Sequence, residues 1–265
     1  SKSVASLENL MGIVRFEDHQ RIFDLMAEAV AGRRMMVSAA DSVDDLRSDV
    51  VACNGKDIFL PESVASFENQ VENFDFYRVS LLHQLGFLEF GCFNNITRVR
   101  RDLAEFTNAG LANAIFSAVE NARIDWLLEH HYPGIRKAMA TQKQRAWADR
   151  NKVLVSDAQQ LLEALVGIGL DAHFESRIDD QLITLSTELC ACFSPVRLPE
   201  ASLDESLVVM SRCYDLIIGY MQSSPGTFAE DQVGALTLDE LPDPVAFRGE
   251  MDVAKVETRL KIEAL

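Results

Sequence analysis

Several common signatures of nucleotide binding and hydrolysis are absent from this chain of 265 residues. It contains no G-x-x-x-x-G-K-[ST] phosphate loop and no G-x-G-x-x-G turn following a predicted strand. It also lacks the G-x-S-x-G nucleophile elbow. The sequence therefore gives no sign of ATP or dinucleotide binding, and we expect no cofactor.

Cysteine is scarce and irregularly spaced. The five cysteines are Cys53, Cys92, Cys190, Cys192 and Cys213. They form no C-x-x-C pair, which argues against a zinc knuckle. Their odd number and scatter predict a reduced, cytoplasmic protein, with Cys190 and Cys192 packed within a helix.

Positive charge is scarce as well. The chain has 25 Lys and Arg against 41 Asp and Glu, which gives a net charge of −16. Because phosphate backbones bind cationic surfaces, nucleic acid is not expected as a partner. A basic protein surface is the more natural complement.

The longest apolar segment, 73–91, carries His83 near its middle. Its apolar residues are Phe74, Val79, Leu81, Leu82, Leu85, Phe87, Leu88 and Phe90. They surround most of a helical wheel, which predicts a helix buried on nearly every side. Glu72, His83 and Glu89 argue against a membrane span. We therefore predict a central buried helix over 73–91.

A mainly α fold surrounds this helix in our prediction. Asn54 and Gly55 predict one small β-hairpin over 49–61, because both residues tolerate positive φ. The predicted helices span 7–16, 18–31, 73–91, 96–107, 111–130, an exposed 135–151, 156–169, 177–193, 203–221 and 251–265, with a short helix or loop at 39–49 and a short segment at 66–70 before the central helix. We assign 1–221 to a helical N-terminal domain and 222–265 to an acidic linker or arm with a terminal helix.

The surroundings of His83 suggest two interpretations. It shares a side of the helix with apolar residues, which favours a buried core histidine. Alternatively, His83-Gln84-Leu85-Gly86-Phe87 is a degenerate form of the zinc-binding helix H-E-x-x-H. Gln84 then replaces the glutamate that acts as general base, and Phe87 replaces the second histidine. A degenerate zincin-like core without catalytic or metal-binding residues is thus one alternative, and a zinc-dependent hydrolase using His83 and Glu120 is another.

A second polar cluster, Glu120, Arg123 and Asp125, lies in the predicted helix 111–130. Glu120 and Arg123 are three residues apart and face the same side of a helix. We interpret them as a structural ion pair, with Arg123 half-buried, that locks this helix to the central one. The alternative is a relic metal ligand or a site that receives a partner.

Three arginines, Arg98, Arg100 and Arg101, follow the central helix in an otherwise acidic protein. Such a run is usually a solvated helical face. The alternative is a docking surface for an acidic or phosphorylated partner, so the three residues are candidate partner contacts.

Three segments in order resemble one family. They are the hairpin 54–61, the stretch from Tyr77 through His83-Gln-Leu-Gly-Phe-Leu-Glu-Phe-Gly91, and Val119-Glu-Asn-Ala-Arg-Ile-Asp125 with Tyr132-Pro-Gly134. Together they resemble the N-terminal region of the CbbO/NorD family, the von Willebrand factor A-containing partners of MoxR-type AAA+ ATPases. The resemblance covers about 49–136, and the Glu-Phe-Gly ending favours CbbO.

This resemblance implies a non-enzymatic adaptor. It would dock on a CbbQ-like AAA+ hexamer and couple ATP hydrolysis to reactivation of inhibited Rubisco, acting on Rubisco through the full-length complex. A NorD-like role in maturing nitric oxide reductase is the alternative. The family's D-x-S-x-S metal motif is missing, since Asp204-Glu-Ser206 has one serine. We therefore expect the von Willebrand factor A domain to lie beyond this sequence.

Overall fold

In a computed structural model, residues 12–40, 50–150, 153–154, 156–223 and 241–249 are described. Eight α-helices and five short strands fall within these ranges. The helices are α1 (Gln20–Ala31), α2 (Gln70–Glu89), α3 (Ile96–Ala104), α4 (Ala109–His131), α5 (Arg136–Asp149), α6 (Asp157–Gly169), α7 (Ile183–Cys192) and α8 (Leu203–Ser223). The strands are β1 (Val14–Arg15), β2 (Met36–Ala39), β3 (Ala52–Cys53), β4 (Asp57–Leu60) and β5 (Ser63–Val64). The predicted mainly α fold is confirmed.

The described residues form two compact units, each assembled from several chain segments. Unit 1 contains 12–40, 50–96, 131–142 and 244–249, and unit 2 contains most of the remaining helices. Residues 244–249, which the sequence assigns to the segment 222–265, belong to unit 1. The boundary at residue 221 itself stays a prediction.

The predicted hairpin is present in unit 1 as β3 and β4. The side-chain oxygen of Asn54 accepts hydrogen bonds from the backbone nitrogens of Lys56 at 2.9 Å and Asp57 at 2.7 Å. Gly55 adopts a φ of 88°, which explains the glycine at this turn. Local turn chemistry therefore determines this hairpin, as the sequence indicated.

The sequence predicted one hairpin as the only β structure. This is wrong, because two further strand pairings are present among the described residues. β2 pairs in parallel with β4, placing Val37 opposite Ile58. β1 pairs antiparallel with β5, with Val14 opposite Val64. These pairings join residues distant in sequence, which local patterns do not reveal.

The central helix is confirmed as α2, which begins at Gln70 and ends at Glu89. The side chain of Asn69 accepts a hydrogen bond from the backbone nitrogen of Glu72 at 2.9 Å and so caps its first turn. Within the helix, Asn73 is fully buried. Its amide nitrogen donates to the carbonyl oxygens of Gly12 and Phe67, both at 2.8 Å.

Several predicted helix boundaries need correction. The helix predicted over 7–16 is wrong where the chain is described, because Val14 and Arg15 are in β1. The helix predicted over 177–193 begins only at Ile183, after two 3-10 turns. Helix α5 is not simply exposed, since Met139, Gln142 and Lys143 are buried.

Two other predicted elements lie mainly outside the described residues. The short helix or loop at 39–49 is described only at Ala39 and at 40, and Ala39 is in β2. The terminal helix at 251–265 lies wholly outside. Of the predicted arm, residues 222–223 end α8, and the described residues 241–249 include a short segment with Val245 and Phe247 buried. The assignment of 222–265 to a linker or arm stays a prediction.

Candidate functional site

His83 lies on α2 in unit 1 and is completely buried. Its ring meets the Phe87 ring edge-on, with centroids 5.0 Å apart, and the Phe247 ring edge-on at 6.1 Å. The apolar surroundings predicted for this histidine are therefore confirmed. Phe247 was not anticipated, because it lies in the segment assigned to an arm.

Gln84 is also buried, and its amide has a defined partner. The side-chain nitrogen donates a hydrogen bond to the backbone carbonyl oxygen of Arg248 at 2.7 Å. A neutral amide is not a general base, so this position does not perform the role that glutamate has in H-E-x-x-H. Gln84 instead binds the backbone carbonyl of a residue that lies 164 positions further along the chain.

Glu120 and Arg123 lie on α4 in unit 2 and form a fully buried ion pair. Arg123 donates through Nε to Glu120 Oε2 at 2.9 Å and through Nη2 to Glu120 Oε1 at 2.6 Å. Ser206 Oγ donates to Glu120 Oε2 at 2.7 Å, and Arg123 Nη1 donates to the carbonyl oxygen of Ala201 at 3.1 Å.

These bonds connect α4 to α8 and to the residues before it, a link that the sequence did not predict. Arg123 has a side-chain exposure of only 1%, so it is more buried than the half-buried position expected. A buried guanidinium needs such partners, because removing one would leave an uncompensated charge. The arrangement is that of a structural ion pair.

Asp125, the third residue of this cluster, is completely buried near Lys143. Lys143 Nζ is 3.8 Å from Asp125 Oδ2, 2.7 Å from Glu129 Oε1 and 3.0 Å from Asp171 Oδ2. Burial disfavours the charged amine, but the carboxylates of Asp125, Asp171 and Glu129 outweigh it and raise the pKa of Lys143. Lys143 therefore stays protonated and balances the buried negative charge.

The four candidate relic residues are divided between the two units. His83 belongs to unit 1, whereas Glu120, Arg123 and Asp125 belong to unit 2. Across the described ranges, no group of three or more His, Cys, Asp or Glu side chains has an arrangement suited to a metal ion. A degenerate zincin-like core stays a hypothesis.

The candidate partner contacts lie on α3, where all three arginines are exposed. Arg98 Nη2 is 2.8 Å from Asp204 Oδ1, and Arg98 Nε is 3.4 Å from Asp102 Oδ2. Arg101 Nη2 is 3.0 Å from Asp102 Oδ1. Aspartates thus offset part of this positive charge, and Arg101 keeps a side-chain exposure of 70%.

A cavity of about 350 Å³ in unit 2 was not predicted. Its lining includes Arg150, Glu163 and Arg177. Arg150 binds Glu163 through two hydrogen bonds of 2.6 and 2.7 Å, and the Arg177 guanidinium lies 4.1 Å from the centre of the Trp147 ring. Arg150 and Glu163 are therefore paired with each other, whereas Arg177 packs on an aromatic ring and donates to the carbonyl oxygen of Trp147.

Comparison with protein-family models, with curated proteins and with solved structures produced no match. None of the helices described is both long enough and apolar enough to cross a membrane.

Proposed function

We propose that this chain is a non-enzymatic adaptor that docks on a MoxR-type AAA+ ATPase of the CbbQ kind. As part of a longer protein, it helps couple ATP hydrolysis to the reactivation of inhibited Rubisco. The proposal starts from the ordered resemblance of 54–61, 77–91 and 119–134 to the CbbO/NorD family. Its physical support comes from the contacts of the residues in those segments.

The observation that carries the proposal is the engagement of the candidate catalytic side chains in structural contacts. The buried His83 ring contacts two aromatic rings edge-on, and the Gln84 amide donates to a backbone carbonyl oxygen. Glu120 and Arg123 neutralise each other while fully buried. A general base needs access to its proton and a metal ligand needs a vacant lone pair, and these surroundings favour neither role.

The docking surface in this proposal is the arginine face, defined as Arg98, Arg100 and Arg101 on α3. Exposed guanidinium groups bind carboxylates through paired hydrogen bonds, which suits recognition of an acidic surface. Rim charges of this kind affect the association rate and partner choice more than the total affinity. We therefore expect the arginine face to select the ATPase and to orient the complex.

The test is a pull-down of purified CbbQ-like ATPase by the full chain, combined with a measurement of ATPase stimulation. We expect Arg100→Glu with Arg101→Glu to reduce binding by at least ~10-fold, because charge reversal places like charges opposite each other. A double variant of Lys137→Glu and Arg145→Glu is the control, since both residues are exposed and the change in net charge is identical.

Three results would contradict the proposal. One is equal binding by the arginine-face variant and its control, and another is unchanged ATPase stimulation after deletion of this chain from the full-length protein. The third is stoichiometric zinc with hydrolase activity in the purified protein. Repeating the assay with the MoxR-type ATPase associated with nitric oxide reductase distinguishes the CbbO-like role from the NorD-like one.

A further inference from the structure

Helix α1 has two apolar faces, and only one of them is buried. The inner face contains Phe23 and Ala27, which are completely buried, and the Phe23 ring stacks on the Phe74 ring of α2 with centroids 5.8 Å apart. The outer face contains Ile22 and Leu25, which are 46% and 58% exposed. Helix α1 therefore carries apolar surface that its own unit does not use.

The outer face forms one row along the helix. Ile22, Leu25 and Ala29 are all exposed and are spaced three and four residues apart, and together they are called the α1 stripe. At 3.6 residues per turn, this spacing places the three side chains on one side of α1 over two turns. Helices that pack side by side in coiled coils have the same spacing along their contact. The α1 stripe therefore has the pattern of a surface that receives a second helix.

Charged residues of opposite sign lie at the two ends of α1. Glu17 and Asp18 precede the helix, Arg33 and Arg34 follow it, and all four are exposed. When two copies of such a helix pack antiparallel, each acidic end lies beside the basic end of the other copy, so both contacts are attractive. A parallel pair would place like charges together at both ends. The charge pattern therefore favours an antiparallel pairing of α1 with itself.

One antiparallel register satisfies the apolar and the charged contacts together. If Leu25 lies on a two-fold axis, facing positions have residue numbers that add to about 50. Glu17 then comes opposite Arg33 of the second copy, and Ile22 lies within one position of Ala29 of the second copy. Two-fold symmetry repeats both contacts at the other end of the pair.

We propose that the α1 stripe is a self-association surface and that its partner is a second copy of this chain, packed antiparallel across a two-fold axis near Leu25. The contact covers the exposed apolar row, and the acidic and basic ends of α1 set its direction and register. The proposal does not depend on any ATPase partner.

The proposed dimer should be weak. Helix α1 has 12 residues and is about 18 Å long, so the contact belongs to the small interfaces below about 1,200 Å². The net charge of −16 adds long-range repulsion between the copies. We therefore expect a dissociation constant between about 1 μM and 1 mM.

Sedimentation velocity of the full chain across about 1 μM to 1 mM tests the association. The mean sedimentation coefficient of the wild type should rise with concentration towards that of a dimer. Leu25→Asp should raise the dissociation constant at least ~10-fold, because it buries a carboxylate beside its own copy on the two-fold axis. Val208→Asp is the matched control. It makes the same change in charge at a residue of α8 that is 59% exposed, and it should associate as the wild type does.

Two charge-reversed variants test the antiparallel arrangement. Variant N carries Glu17→Arg with Asp18→Arg, and variant C carries Arg33→Glu with Arg34→Glu. Each variant alone has like charges at both ends of an antiparallel pair, so its dissociation constant should rise at least ~10-fold. In an equimolar mixture, one copy of each variant restores opposite charges at both ends, so the mixture should associate as tightly as the wild type.

The net charges of the two variants separate the local contact from long-range repulsion. Reversing two charges changes the net charge from −16 to −12 in variant N and to −20 in variant C. Long-range repulsion alone would therefore make variant N associate more tightly than the wild type, whereas the proposal expects weaker association. All substituted residues are exposed, so each variant should fold, and circular dichroism checks this.

Three results would overturn the proposal. They are a wild-type chain that stays monomeric up to about 1 mM, equal association of Leu25→Asp and Val208→Asp, and a mixture of variants N and C that associates no better than each variant alone. If removal of residues 1–11 creates a dimer that the full chain does not form, those residues cover the α1 stripe and the second copy is the wrong occupant. If Leu25→Asp weakens ATPase binding while the wild type stays monomeric, the α1 stripe contacts the ATPase and the proposal is likewise wrong.

Discussion

Neighbouring residues on α2 have surroundings that follow from their chemistry. The His83 imidazole is flanked by the edges of two phenylalanine rings, whereas the Gln84 amide donates to a carbonyl oxygen. Phe87, one turn after His83, also packs on Phe93, with ring centroids 5.5 Å apart. The aromatic ring that replaces the second histidine of the zinc motif therefore has a packing role.

Removing the Phe87 ring should destabilise the protein strongly. Phe87 is 2% exposed, so Phe87→Ala leaves a cavity and should cost ~3–5 kcal/mol of unfolding free energy. Urea denaturation measures this loss. Leu25→Ala is the control, because Leu25 is 58% exposed and its loss should stay within ~0.5 kcal/mol. A loss below ~1 kcal/mol for Phe87→Ala would mean that this side chain is not part of the core.

The cysteines should differ in reactivity because they differ in burial. Burial raises the pKa of the Cys53 thiol to about 12, although a hydrogen bond from the Gly55 backbone opposes the shift. Thiolates are the reactive form, so Cys53 should resist iodoacetamide at neutral pH until the protein unfolds. Cys190 is only partly buried and should react first. Mass spectrometry of the alkylated protein checks the order, and faster labelling of Cys53 would contradict it.

Lys143 should make stability depend on alkaline pH. Its carboxylate neighbours raise its pKa on folding, so its contribution is fully present below the ordinary lysine value of about 10.4. The contribution is lost as pH rises through the higher folded value, because the folded state then loses its extra proton. Lys143→Met should cost ~3–5 kcal/mol at neutral pH, because it removes the cationic partner from a buried ion pair with Asp125.

Urea unfolding of the wild type and Lys143→Met across pH 8 to 11 measures the alkaline effect. The difference in unfolding free energy between the two proteins should shrink as pH rises, because the wild-type amine becomes neutral. A difference that stays constant or grows would contradict the role assigned to the amine.

At the scale of elements, α6 begins with a side-chain cap, and its residues are buried along the whole helix. Ser156 Oγ accepts from the Gln159 backbone nitrogen at 3.2 Å, and Gln159 Oε1 accepts from the Ser156 backbone nitrogen at 3.3 Å. Ser156→Ala should therefore cost ~0.5–2 kcal/mol. Ser223→Ala at the exposed end of α8 should change stability by less than ~0.5 kcal/mol. An equal loss of stability for the two variants in thermal melts would contradict the capping role of Ser156.

Local signals explain which elements were predictable. Ser156, Asn54 with Gly55, and Gly32 act on neighbouring backbone groups, so the sequence correctly predicted the α6 start, the hairpin and the end of α1. The parallel pairing of β2 with β4 depends on residues about 20 positions apart, and β2 has only four residues. Nothing in so short a segment distinguishes a strand from a loop.

At the scale of the whole molecule, contacts within one helix of the candidate site were predictable, whereas contacts between segments distant in sequence were not. The burial of His83 and the pairing of Glu120 with Arg123 follow from helical spacing and were predictable. The packing of residues 244–249 against α2 was not, because Phe247 stands among prolines and acidic residues that are typical of a linker. The apolar side chains of this segment become informative only when Gln84 and Val51 are known to lie beside it.

The net charge of −16 decides how the proposed docking should respond to salt. If the arginine face binds an acidic ATPase surface, attraction at the contact competes with repulsion from the rest of the chain. Raising salt from about 0.1 M to about 1 M shortens the Debye length from about 10 Å to about 3 Å and weakens such exposed contacts. We therefore expect wild-type affinity to fall with salt, and the fall to be smaller for the Arg100→Glu and Arg101→Glu variant.

The charge-matched control separates the effect of this local contact from the long-range electrostatic effect of the protein's net charge. Each exchange of a cation for glutamate removes two charge units, so both double variants change the net charge from −16 to −20. If the acidic surface binds a basic partner instead, both variants should bind more tightly than the wild type at low salt. Weaker binding by the arginine-face variant alone supports a local contact, because only the position of the altered charges differs between the two proteins.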